Sequence, residues 1–331
     1  MPRNKVLTEL LKRFPDAPAL TLAKKAYREN PELWNNLEGC RAAVRYHLGV
    51  NGKRNRKRGE KRFHRAPRSP GDWIKAVPPA LTHFDDWRAV QFDGPLRALV
   101  LSDIHIPYHD VEAVQLAIKY GQERKANFVL LNGDIADHFA ISRWEKDPRR
   151  RDFPAEVRAV RQFLKALRGC FPKARIVFKE GNHDERLEAY LRVKAPDLLG
   201  LEEFSLKEIY EFDELKIQHV GEKRPVRLGK LNTIHGHEYR FAIANPVNPA
   251  RGFFLRCKTH ILGGHFHQVA EHSERTLEQK VLSAWSTGCL CGLHPDYSPL
   301  NPWSQGFAFV EIDKAGAFHV ENRKILKGKV W

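Results

Sequence analysis

Five short clusters of ligand-type side chains each follow an apolar run. Asp103 and His105 come after residues 98–101, and Asn132-Gly133-Asp134 after 128–131. Gly181-Asn182-His183-Asp184 comes after residues 175–178, His235-Gly236-His237 after 231–234, and Gly264-His265-Phe266-His267 after 261–262. The clusters offer carboxylates, imidazoles and an amide oxygen, a mixed N/O set that suits manganese, iron, zinc or cobalt without choosing among them. Asn182 adds a neutral oxygen, which avoids piling up negative charge where an anion must bind. Taken singly, each cluster reads as a turn or a hydrogen-bonded loop. Five in order, each closing an apolar run, point instead to one reaction centre.

Continuous apolar runs of this length suit strands buried on both faces. Ligands of open α/β sheets gather outside the carboxyl ends of such strands, so the clusters should converge. His265 and His267 would point oppositely on an extended segment, and a bend at Gly263-Gly264 is expected to bring both inward. Residues 111–120 and 155–167 carry helical periodicity, the latter through Val157, Val160, Leu164 and Leu167. Residues 87–92 and 96–101, joined through Asp93-Gly94, read as a hairpin. Asn248-Pro249 reads as a helix start. Residues 281–282, 307–312 and 318–320 read as further strands without helices between them. The fold class is α/β, opening as βαβ units and closing as a more antiparallel sheet.

The motifs D-x-H, G-D, G-N-H-D, H and G-H-x-H, in that order from Asp103 to His267, resemble the calcineurin-like metallophosphoesterase superfamily. The resemblance spans about residues 95–312 and implies layered β-sheets flanked by helices. It implies two divalent metal ions, manganese first, with iron, zinc or cobalt as alternatives. Asp103, His105, Asp134 and His267 would hold one ion, and Asp134, Asn182, His235 and His265 the other. A carboxylate shared in this way can hold two ions roughly 3.5–4 Å apart. His183 would stand beside the phosphate as a catalytic residue, protonating the leaving oxygen after in-line attack by a hydroxide bridging the metals. Protein phosphatases of this type carry G-D-x-V-D-R-G. Here the second Asp is kept as Asp137, which would orient His183, whereas His138 stands where that motif has Arg. The missing Arg weakens the case for a dedicated protein phosphatase, and His138 or Arg143 is expected to contact substrate in its place. His109, His237 and Asp184 are candidates for supporting groups or for purely structural roles.

Charge narrows the partner. The 331 residues hold 56 Lys/Arg and 40 Asp/Glu, a net charge of +16. Residues 1–70 alone hold 18 basic and 6 acidic residues, leaving 38 and 34 for the remainder. An imbalance of +12 in the first fifth of the chain points to a polyanionic partner. Three divisions are expected. Residues 1–50 form a small basic all-α module, either helix-turn-helix-like or a cap on the main domain. In it, Thr21 is the expected cap of the second helix and Gly49 ends the third. Residues 51–72 form a basic flexible linker, and residues 73–331 the phosphoesterase domain. Lys53, Arg54, Arg56, Lys57, Arg58, Lys61 and Arg62 of the linker are candidate contacts to DNA or RNA. Arg240, in a basic excursion that also holds Arg251, Arg256 and Lys258, is a candidate substrate contact. Residues 297–303, rich in aromatics, either line a substrate cleft or pack the last strands, and packing is the expected role. The five cysteines show no CxxC pair and fit a reducing cytoplasm, with Cys289 and Cys291 as ordinary packing residues. No apolar run approaches the length of a membrane span. The expected function is a dinuclear metal-dependent phosphodiesterase or nuclease. The alternative is a phosphomonoesterase whose basic N-terminus tethers a partner. Oligomeric state is left open.

Overall fold

The computed structural model describes residues 3–15, 17–49, 77–78, 88–145, 147–239 and 246–331. The expected linker with its Lys53 to Arg62 contacts, and Arg240, lie outside the described residues. The chain divides into two compact units, residues 1–83 and 84–331.

The first unit holds helices α1 (Arg3–Arg13), α2 (Ala19–Glu29) and α3 (Leu37–Leu48). Val6, Leu7, Leu10, Leu22, Ala23, Ala26, Trp34, Cys40 and Val44 close a small core, their helical spacing placing them on inward faces. Asn36 caps α3 by accepting the Gly39 N–H at 2.7 Å, and Gly49 follows its last turn. The expected Thr21 cap is corrected: α2 starts at Ala19, directly after Pro18. Pro18 disfavours helix at the residue before it, so the helix begins immediately beyond. Lys24, Arg28 and Arg45 lie exposed on the outer faces, beside an exposed Tyr46.

Among the described residues, the second unit contains thirteen strands in two sheets. They are β1 (Val90–Phe92), β2 (Leu96–Leu101), β3 (Phe128–Asn132), β4 (Arg175–Lys179), β5 (Ile217–Val220), β6 (Val226–Leu228) and β7 (Leu231–Thr233), followed by β8 (Ile261–Gly263), β9 (Ala270–Arg275), β10 (Val281–Ser286), β11 (Gly306–Ile312), β12 (Phe318–Leu326) and β13 (Lys329–Val330). Helices α4 (Val111–Glu123), α5 (Phe153–Cys170), α6 (Arg186–Lys194), α7 (Leu206–Ile209) and α8 (Pro249–Cys257) complete it. One sheet runs β13-β12-β11-β2-β3-β4-β5 and the other β1-β6-β7-β8-β10-β9. Alternation along the central strands divides the core. Leu99, Leu101, Val129, Leu131, Ile176 and Phe178 face the layer of α4 and α5, with Val160, Leu164 and Leu167. Ala98, Val100, Phe128, Leu130 and Val177 face Val226, Leu228, Leu231 and Leu262 of the second sheet. Phe253 of α8 covers that sheet's outer face with Ile234, Ile261 and Ala284. The result is four layers, helix–sheet–sheet–helix, with β2, β3 and β4 parallel and ending together.

The expected hairpin of residues 87–101 is corrected. β1 pairs in parallel with β6, while β2 lies in the other sheet between β3 and β11. Both edges of β2 are thus occupied, and the Asp93-Gly94 turn carries the chain from one sheet to the other.

Candidate metal centre

Clusters from both sheets meet at the carboxyl ends of β2, β3, β4, β7 and β8. His105 Nε2 lies 3.2 Å from His267 Nε2 and 3.8 Å from Asp134 Oδ2. His267 Nε2 lies 3.2 Å from Asp103 Oδ1. His235 Nε2 lies 3.2 Å from Asp134 Oδ2, and His265 completes a group with those two. Metal–ligand bonds of about 2.0–2.2 Å imply neighbouring donors roughly 2.8–3.6 Å apart, so this spacing fits bound cations. Asn182 Oδ1 is buried without a hydrogen-bond partner, which a cation would supply. Six of the seven residues that the resemblance marks as ligands are therefore brought together, Asn182 lines the same cleft as His265, and the donor set fits two divalent ions.

The backbone gives way to make this possible. Asp103, His105, Asp134, His265 and His267 all have φ between 52 and 70°. Left-handed conformations are costly for non-glycine residues and cluster at functional sites. The bend that brings His265 and His267 to one place lies in the histidines themselves, not at Gly263-Gly264 as expected. Gly181, in turn, serves close approach: a Cβ there would sit 2.3 Å from Asp134 Oδ1.

Surrounding groups fix the ligands. His235 Nδ1 bonds the Asn132 carbonyl at 2.9 Å, turning Nε2 toward Asp134. His105 Nδ1 lies 3.0 Å from Asp137 Oδ1. Glu238 accepts the backbone N–H groups of His235 and Gly236, and pairs with buried Lys179 at 2.5 Å. Asp184 is fully buried and accepts from the N–H groups of Gly181, Asp134 and Ala136 at 2.8–3.1 Å, tying the third cluster to the second. Burial, followed by the Asp134 charge, pushes its carboxyl up to about 7. His237 pairs with Glu185 at 2.9 Å, and half-buried His109 faces a neighbouring cleft.

Electrostatics sort the donors. Burial alone would raise the Asp103 carboxyl, but His267 and His235 outweigh it and hold it at about 2. Burial and then His235 bring His265 down to about 4, and burial and then His183 lower His105. Those two imidazoles are thus kept neutral, as metal ligation requires. His235 goes the other way, to about 10, because Asp134 and Asp103 overcome its burial. A proton on its Nε2 occupies the place a dication would take.

His183 stands beside this cluster. Its Nδ1 lies 3.0 Å from Asp137 Oδ1, and its backbone N–H donates to Asp134 Oδ1 at 2.7 Å. Arg186, absent from the sequence-level candidates, reaches His183 Nε2 with Nη2 at 2.9 Å and the Asp137 carbonyl with Nη1 at 2.7 Å. The chain carries no local signal for it: Arg186 opens α6, and the turn over residues 182–185 brings it back over His183. His138 is corrected as a substrate contact. It is fully buried, with Nδ1 on the His183 carbonyl and Nε2 on the Tyr210 hydroxyl, so neither nitrogen is free.

Among the described residues, clefts open on two sides of the cluster. One, of 1020 Å³, is lined by Asn182 and His265 together with Arg143, Arg151, Arg186, Lys194 and Lys223. The other, of 620 Å³, is lined by His105 and Asp137 with Tyr108, Phe139, Tyr297 and Trp303. The Trp303 ring lies 4.1 Å from that of His267, while Tyr297 is 78% exposed. The aromatic segment therefore forms a cleft wall rather than strand packing.

A buried set of carboxylates and imidazoles between two packed sheets, with His183 held alongside by Asp137, defines a metal-dependent phosphoester hydrolase. The family profile for calcineurin-like phosphoesterases matches residues 96–269, and the chain belongs to that family. It is similar to the Gene 54 proteins of Mycobacterium phages L5 and D29. The identities are 28% over 232 residues and 27% over 229, each covering 66% of this chain and 89% of the phage protein. Among solved structures, it is similar to a dimetal phosphatase from Danio rerio, at 14% identity and a TM-score of 0.34, covering 70% of this chain and 97% of that one. No helix among the described residues is long and apolar enough to cross a membrane.

Proposed function

We propose that the protein is a dinuclear metal-dependent phosphodiesterase acting on nucleic acid. The observation that carries this reading is the pair of unlike clefts, one reaching each metal group. A diester extends in two directions from phosphorus, whereas a monoester fills only one. The basic cleft suits a run of phosphates, and Tyr297 and Trp303 offer faces on which a nucleobase stacks. The basic N-terminal 70 residues add electrostatic attraction for a polyanion.

When bound, the divalent ions supply Lewis acidity toward the phosphoryl oxygens and toward water. The protein's own residues do the rest. Asp137 holds His183 by Nδ1, which leaves Nε2 turned to the site as the proton donor for a leaving oxygen. Arg186 covers Nε2 in this structure. A phosphoryl group would take the guanidinium's N–H groups as a bidentate pair and release Nε2 for that task. Arg143, in the same basic cleft, extends the positive wall.

The test compares metal-loaded full-length protein on p-nitrophenyl phosphate, on its bis ester and on a short single-stranded oligonucleotide, with His183→Ala as control. Higher kcat/KM on the bis ester, with oligonucleotide cleavage lost in the control, is the expected result. Preference for the monoester, with the oligonucleotide left intact, would overturn the proposal.

A further inference from the structure

Cys291 lies at the first metal group, and no role described so far uses it. Its Sγ forms a donor cluster with His105 and His267, the ligating atoms all within 4.8 Å of one another and all three residues buried. The segment that carries it is laced to the Asp103 loop. Leu290 N–H donates to the Asp103 carbonyl at 3.0 Å, Asp110 N–H to the Leu290 carbonyl at 2.9 Å, and Gly292 N–H to the Tyr108 carbonyl at 3.0 Å. Residues 109 and 291 form an antiparallel bridge between these bonds. The thiol position is therefore fixed by backbone on both sides, as a preorganised ligand requires. The donor group around Asp134, His235 and His265 includes no cysteine.

We propose that Cys291 is a thiolate ligand of the ion held by Asp103, His105, Asp134 and His267, so that the two metal positions differ in kind. A thiolate favours zinc, iron or cobalt over manganese and magnesium, while the amide oxygen of Asn182 leaves the second position harder. The centre is then built for two unlike ions, with a zinc-class ion at the cysteine position. On binding, the thiol proton passes to solvent and the sulfur lone pair enters the metal's coordination sphere, with no change in oxidation state. The inference rests on the metal centre alone and is independent of which phosphoester is cleaved.

X-ray absorption on the zinc-loaded wild-type chain tests it without any variant. The expected result is one sulfur scatterer per two zinc ions, at about 2.3 Å. Cobalt substitution supplies a second readout: a sulfur-to-cobalt charge-transfer band in the near ultraviolet, lost in Cys291→Ser and kept in Cys289→Ser. In the same Cys291→Ser protein, the preference for zinc over manganese at one of the two sites should fall about tenfold or more. Wild-type protein that binds two ions but shows no sulfur scatterer and no charge-transfer band would overturn the proposal. So would a band that survives Cys291→Ser and vanishes in Cys289→Ser.

Discussion

Glu156 allows a prediction whose sign and size follow from geometry. It lies on α5 and is 4% exposed; Oε1 accepts the Ala140 N–H at 2.9 Å, while Oε2 is buried without a hydrogen-bond partner. Burial raises its carboxyl to about 7, the Ala140 N–H opposing and the Asp137 charge adding. The folded value thus exceeds the unfolded one, near 4.5. Between these values the unfolded chain loses its proton first, so folded stability falls as pH rises and levels off above about 7. The interval is worth about 3.4 kcal/mol at 1.36 kcal/mol per pH unit. Local relaxation and water penetration reduce the cost of a buried charge, and about 1.5–2 kcal/mol of that should survive. Glu156→Gln keeps the acceptor for Ala140 and removes the titration. Heat unfolding of both proteins at pH 5 and pH 8.5, followed by near-ultraviolet circular dichroism, reads the difference. The variant should gain on the wild type as pH rises, by about 3–8 °C in Tm. A constant offset between the two carries no weight, since the new amide nitrogen is also unpaired. Parallel pH dependences, or a gap that moves the other way, would refute the reasoning.

Two further predictions concern substrate. Arg186→Ala should lower kcat/KM on a diester by about 10²–10³-fold, the loss expected when a positioned donor to the transition state is removed. Arg186→Lys should restore only part, because an ammonium cannot make the bidentate contact, and wild-type kinetics in either variant would remove Arg186 from the site. Replacing Lys53, Arg54, Arg56, Lys57, Arg58, Lys61 and Arg62 together with Ser in the full chain should weaken oligonucleotide binding. The slope of log affinity against log salt should flatten by up to about 5 for single strands, and an unchanged slope would place the nucleic-acid contacts elsewhere.

The metal centre was legible because its signals are local. Residues 98–101, 128–131 and 175–178 are apolar on every residue but Arg175, and each is followed within four residues by a carboxylate or amide of the site. What failed depends on partners distant in sequence. Asp93-Gly94 looks like a hairpin turn, but the partner of β1 is β6, more than a hundred residues away. His138 stands where an aligned motif places a substrate contact, yet its left-handed backbone turns the ring inward to Tyr210. Arg186 reads as an ordinary surface residue at a helix start, and only the path of the chain into α6 brings it over His183. Tyr297 and Trp303 look like core residues by type, but nothing in their sequence shows that they flank an opening.

The left-handed ligand residues carry a consequence for how the centre is filled. The backbones of these residues are tied to one another: Asp103 N–H donates to the Gly133 carbonyl, His105 N–H to the Asp134 carbonyl, and His265 N–H to the Asp103 carboxylate. A substitution that released one of these turns would therefore displace ligands of both metal groups together, so the two positions should lose affinity as a pair rather than singly.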